Sequence, residues 1–195
     1  IGAAGASAQV VVLTGIAGLV AGAFSMALGE YASVKTQNEQ VDSELAIEID
    51  AHTRNPEGEK NELVNSFIDM GLTEKTARYA AEEVHNNPER AARLHITHEL
   101  GIDPDAKPSP WIAAVSSFAM FSIGAFIPLI PYALGFELLW LGLATGGVGL
   151  LVAGALSARY TRKSWWRSAL RQLAFGAIAV SATYLVGSLL GVGAH

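Results

Sequence analysis

Three sets of side chains in this sequence have the types and spacings that hold divalent metal ions. Glu59 and Glu62 stand three residues apart, which puts both carboxylates on one face of a helix. His95 and Glu99 are four apart, with His98 one turn from His95, and Glu44, Glu48 and His52 climb a helix face in successive four-residue steps. Carboxylate oxygen and imidazole nitrogen suit divalent iron, manganese, cobalt or zinc. The chain has no cysteine, which disfavours copper(I) and excludes disulfides, iron–sulfur clusters and cysteine nucleophiles. Taken alone, each pair reads more readily as a solvated acidic helix surface, which is what most such pairs are. A fourth group lies in an apolar stretch: Met26 precedes Glu30 by one helical turn, so both could face one groove. A carboxylate near a membrane helix end is costly unless paired, hydrated or functional. Interfacial anchoring is the plain alternative for Glu30, and packing is that for Met26.

Other chemistries fail on inspection. There is no phosphate-binding glycine loop with lysine, no G-x-S-x-G and no H-E-x-x-H; the run HITHE has the wrong order for a zinc-protease helix. No enzyme is read from these residues. A net charge of −5 gives a nucleic-acid partner no electrostatic support.

The elements that must position these groups follow from the distribution of charge. Only 16% of the 195 residues are charged and 51% are hydrophobic, against roughly 25% charged in soluble chains. Residues 1–29, 108–136, 138–158 and 172–194 contain no Asp, Glu, Lys or Arg. Each is long enough to cross a bilayer as a helix, which takes about 20 residues. The spans are expected at about 10–34, 111–134, 138–158 and 170–190. The fold class is therefore all-α: a polytopic membrane protein with its transmembrane domain in 1–34 and 109–195. All 13 Lys and Arg fall in 35–108 and 159–171, so the positive-inside rule places both segments in the cytoplasm, with Glu137 on the far side. The basic, aromatic run RYTRKSWWRSALR is read as an interfacial anchor. Glycines four apart at Gly18/Gly22, Gly142/Gly146 and Gly187/Gly191 suit close helix packing. The chain starts at Ile1 rather than Met, and IGAAGASAQ reads as the exit of an earlier helix, so a preceding transmembrane helix is expected upstream.

Residues 35–108 carry 16 of the 18 acids and four of the five histidines, with a local charge of −8. The polar run TQNEQVDSELAIEIDAHTRN continues the first span as a helix. Asn55-Pro56 breaks and restarts the chain, Thr73 is the expected N-cap of a further helix, Pro88 restarts it again, and Gly71 and Gly101 are expected C-caps. The result is a small cytoplasmic insert of about three helices, joined rigidly to span one and, through DPDAKPSP, flexibly to span two.

The chain resembles the vacuolar iron transporter family. The resemblance rests on GLVAGAFSMALGEYASVKTQ, the acidic insert and its LGI end, PSPWIAAVSSFAMFSIGAFIPLIPY and ALRQLAFGAIAVSATYLVGSLLG, and covers essentially the whole chain. It implies a transporter that moves ferrous iron or manganese out of the cytosol in exchange for protons, with five transmembrane helices, as a homodimer, and with no prosthetic group beyond the Fe2+ or Mn2+ it carries. The membrane would be the cell membrane in a prokaryote and a vacuolar-type membrane in a eukaryote. The resemblance puts Met26 on the methionine of the pore-lining second helix. Glu48, Glu59, Glu62 and Glu99 fall on glutamates of a metal-collecting three-helix domain. Ala51 stands where the family has a further glutamate, with Asp50 or His52 as candidate replacements, and His95 stands where it has a methionine. The family's first helix, bearing an Asp-Gly motif, has no counterpart here. A second reading, from a different class, is a membrane-anchored metal buffer or sensor that binds without transporting.

Overall fold

The computed structural model describes residues 6–101 and 103–191, apart from the side chains of 99, 100 and 188–191. Every regular element among them is a helix: α1 (Ala8–Arg54), α2 (Pro56–Asp69), α3 (Glu74–His85), α4 (Pro88–Leu100), α5 (Pro110–Phe126), α6 (Ile130–Ala133), α7 (Leu139–Thr161) and α8 (Trp165–Gly191), with a 3-10 turn at Ile127–Leu129. Four stretches are long and apolar enough to cross a membrane: α1, the α5–α6 segment, α7 and α8. Their large apolar side chains point outward, among them Leu13, Leu28, Met120, Val148, Leu156 and Ile178. Outward-facing apolar surface on this scale fits burial in lipid.

The chain divides into two compact units, Ile1–Leu28 with Val115–His195, and Gly29–Ala114. In the first, α7 and α8 form a tight hairpin whose turn puts Arg162 in the left-handed region at φ 53°. Gly154 is what lets these helices meet: a Cβ there would lie 2.6 Å from the Ala169 Cα and 2.7 Å from the Ser168 carbonyl oxygen. The second span does not run unbroken to 134. Pro128 and Pro131 each lack the N–H that a helix needs, so α5 stops at Phe126 and passes through the 3-10 turn into α6. Tyr132, buried beyond this break, packs on Gly142, and Gly22 packs on the Phe121 ring. By contrast, Gly18 and Gly187 face open space. Helix α8 begins at Trp165, five residues before the apolar run suggests, because helical backbone continues through the basic Arg167 and Arg171. At the start of α1, the Ala8 N–H donates to Glu137 Oε1 at 3.3 Å, placing a carboxylate on the positive end of the helix. The expected upstream helix lies outside the described residues.

In the second unit α1 continues as a polar helix to Arg54, and three short helices follow. Each opens as its sequence dictates. The Asn55 and Asn87 side chains accept from the Gly58 and Arg90 N–H groups, each just ahead of a proline at the first helical position, and Thr73 accepts from Thr76 N–H. Gly101 closes α4 at φ 63°, a conformation that few other residues hold without strain. Leu63, Val64, Ala77, Ala81 and Ala91 form the core, flanked by Phe67, Leu72, Val84 and Leu94. Three of the five central residues are alanines, so α2, α3 and α4 pack closely around small side chains.

Candidate metal centre

Within this second unit, donors from three separate helices converge. Helix α1 presents Glu48 and His52, α2 presents Glu59, and α4 presents His95; one ligand atom from each lies within 4.8 Å of all the others. Glu48 Oε1 stands 2.5 Å from His95 Nδ1 and 3.6 Å from His52 Nε2. Glu59 Oε2 is 3.6 Å from His95 Nδ1, and Glu62 Oε2 is 3.6 Å from His95 Nε2. The shortest of these is a charge-assisted contact. At 3.6 Å the others are too long for hydrogen bonds. The His52–Glu48 and His95 Nδ1–Glu59 separations match instead that of two donors on one tetrahedral ion, about 3.4 Å when each bond is about 2.1 Å; Glu62 faces the opposite ring nitrogen of His95 and lies beside that donor set.

The centre is sheltered. His52 and His95 are 2% and 3% exposed, while Glu62 stands at the solvent edge. Burial lowers the His52 pKa below 6.5; the neighbouring His85 and His95 push the same way, and Glu62 opposes them. His52 is thereby held as neutral imidazole, the form that donates a lone pair to a metal.

Of the residues singled out in the sequence, Glu48, Glu59, Glu62 and His95 come together here. Glu99 is in α4, but its side chain lies outside the described residues. Asp50 turns away and pairs with Arg54, so of the two candidates beside Ala51 it is His52 that joins the cluster. Glu44 instead lines a separate cavity of about 440 Å³ with Gln37, Val41, Ile96 and Lys107, and His98 is exposed. Met26 and Glu30 lie one turn apart on α1, both exposed and outside the cluster. The sequence reading missed His85, whose ring centre lies 5.4 Å from that of His52. Glu82 stands three residues before it on the same helix, and that spacing, with the concentration of histidines in the insert, was the signal available in the sequence.

The VIT family profile matches residues 1–188. A protein of Acanthamoeba castellanii named "Vacuolar iron transporter" is 34% identical over 190 residues, covering 92% of this chain and 69% of the relative. "Vacuolar iron transporter 1" of Arabidopsis thaliana is 28% identical over 193 residues, covering 96% and 76%. The protein of the same name from Oryza sativa subsp. japonica is 29% identical over 193 residues, covering 94% and 75%.

Proposed function

The chain belongs to the VIT family and is a multi-pass integral membrane protein; from that premise we propose that it exports ferrous iron, and manganese as a second substrate, from the cytosol in exchange for protons. The convergence of Glu48, His52, Glu59 and His95 from three helices carries this reading. Glu62 at the solvent edge and Glu99 on α4 complete the collecting surface, and Met26 and Glu30 of α1 serve the pathway through the membrane. The relatives' names place them in vacuoles; this chain is assigned to a vacuolar-type membrane by analogy, working as a homodimer.

Exchange for protons follows from the donor chemistry. Carboxylates and imidazole bind a divalent cation only when deprotonated, so loading releases protons and an acidic compartment expels the metal. The insert's surplus of acids also concentrates cations near the membrane surface. The test is uptake of ferrous ion by sealed proteoliposomes containing the full-length protein. Accumulation should be driven by an acidic interior and fall severalfold when Glu59 and Glu62 are both changed to Gln. Binding without accumulation would make the protein a membrane-anchored buffer, and uptake indifferent to a collapsed pH gradient would rule out exchange.

A further inference from the structure

The turn between α7 and α8 gathers positive charge with nothing nearby to balance it. Arg159, Arg162, Lys163, Arg167 and Arg171 cluster there, and residues 109–195 hold a single acid, Glu137. Glu137 precedes α7, at the opposite end of a helix about 33 Å long. Six of the eight cations in 35–108 pair with carboxylates: Lys35, Arg54, Lys60, Arg78, Arg93 and Lys107. None of the five at the turn does so among the described residues.

A cavity of about 250 Å³ opens at this turn, lined by Lys163, Ser164, Arg167, Ser168 and Arg171. The last four share one face of α8, at successive spacings of three and four residues. The Ser164 carbonyl accepts the Ser168 N–H at 3.1 Å, so the helix begins at the cavity wall, where first-turn N–H groups lack intrahelical partners. The close approach at Gly154 buries Ser168, which is only 3% exposed. Its hydroxyl nevertheless makes no hydrogen bond to another described residue. The hydroxyls of Ser157 and Ser181, by contrast, donate to carbonyls three and four residues back. A buried, unpartnered hydroxyl on the wall of a cationic cavity marks a place for an acceptor. The Arg167 guanidinium is steadied over the Trp166 ring, 5.2 Å from its centre.

We propose that this cavity binds the phosphomonoester headgroup of an anionic lipid. Two arginines and a lysine, with the positive end of α8, match a group carrying nearly two negative charges and several acceptor oxygens. The surroundings select a lipid over free phosphate. Trp165 and Trp166 are exposed beside the cavity, as aromatic side chains are at headgroup level, and Leu156 and Leu170 offer exposed apolar surface for acyl chains. This is more than general attraction of a basic edge to an anionic surface. Such attraction needs only net charge, whereas a built site uses particular donors and fills with one lipid per chain.

The test is native mass spectrometry of the full-length protein in detergent, titrated with phosphatidic acid, a monoester, or phosphatidylglycerol, a diester. Phosphatidic acid should saturate at one molecule per chain and bind several times more tightly than phosphatidylglycerol. Arg167→Gln and Ser168→Ala should each weaken it by about fivefold or more, while Arg159→Gln, which removes the same charge from an exposed residue outside the cavity lining, should stay within a factor of two. Arg167 is exposed, so its replacement leaves the packing of the hairpin intact. Equal losses in Arg159→Gln and Arg167→Gln would reduce the cavity to diffuse charge and overturn the site. So would equal binding of the two lipids. Displacement of the lipid by an equal concentration of inorganic phosphate would overturn the assignment to a lipid.

Discussion

The proton balance of His52 reaches beyond metal binding, into the stability of the metal-free protein. Folding lowers its pKa below 6.5, with burial as the main cause and His85 and His95 adding to it. The unfolded chain therefore takes up a proton that the native chain excludes. The stability this confers is complete above pH 6.5 and is lost as pH falls towards the lowered native value. In the metal-free protein the thermal midpoint should decline from pH 7 to pH 5.5, and His52→Gln should flatten that decline, whatever it does to the midpoint itself. Glu48, Glu62, His85 and His95 also face this ring, so the comparison of slopes isolates its share; parallel slopes would show that His52 contributes nothing. Part of the candidate donor cluster was visible as spacing, because donors on one helix repeat every three or four residues, as Glu59 with Glu62 and Glu48 with His52 do. The approach of His85 to His52 was not, because the two belong to different helices, and no spacing along the chain encodes a contact between helices.

The same division holds for the helices. Their ends were readable because capping is local: Asn55, Thr73 and Asn87 each bond a backbone N–H three residues on. Asn87→Ala should cost about 1 kcal/mol, the usual value of such a cap, seen as earlier unfolding of the insert. The seam between α7 and α8 was not readable. The glycine pairs flagged by spacing include Gly18 and Gly187, which face open space, as well as Gly22 and Gly142, which meet side chains, while the closest approach to backbone is at Gly154, outside every pair. A methyl group there meets backbone rather than a movable side chain, so the two helices must separate to admit it. Gly154→Ala should lower the thermal midpoint of the protein in detergent by several degrees, and Gly18→Ala should leave it nearly unchanged. Equal effects would mean that helix propensity alone, not contact, decides these sites.

For the molecule as a whole, the clustering of all 13 Lys and Arg predicts that 35–108 and 159–171 share the cytoplasmic face. The chain has no cysteine, so single cysteines report cleanly. In intact vesicles, Glu82→Cys and Glu137→Cys should react with an impermeant reagent from opposite sides, and labelling of both from one side would break the arrangement. The insert's architecture has a further consequence for descent. Leu63, Val64, Ala77, Ala81 and Ala91 hold its helices together, and none of them is a donor. Adaptation to a changed metal supply can thus proceed by exchanging one ligand at a time, without touching the residues that hold the helices together. A change of preferred ion therefore requires no change in the scaffold.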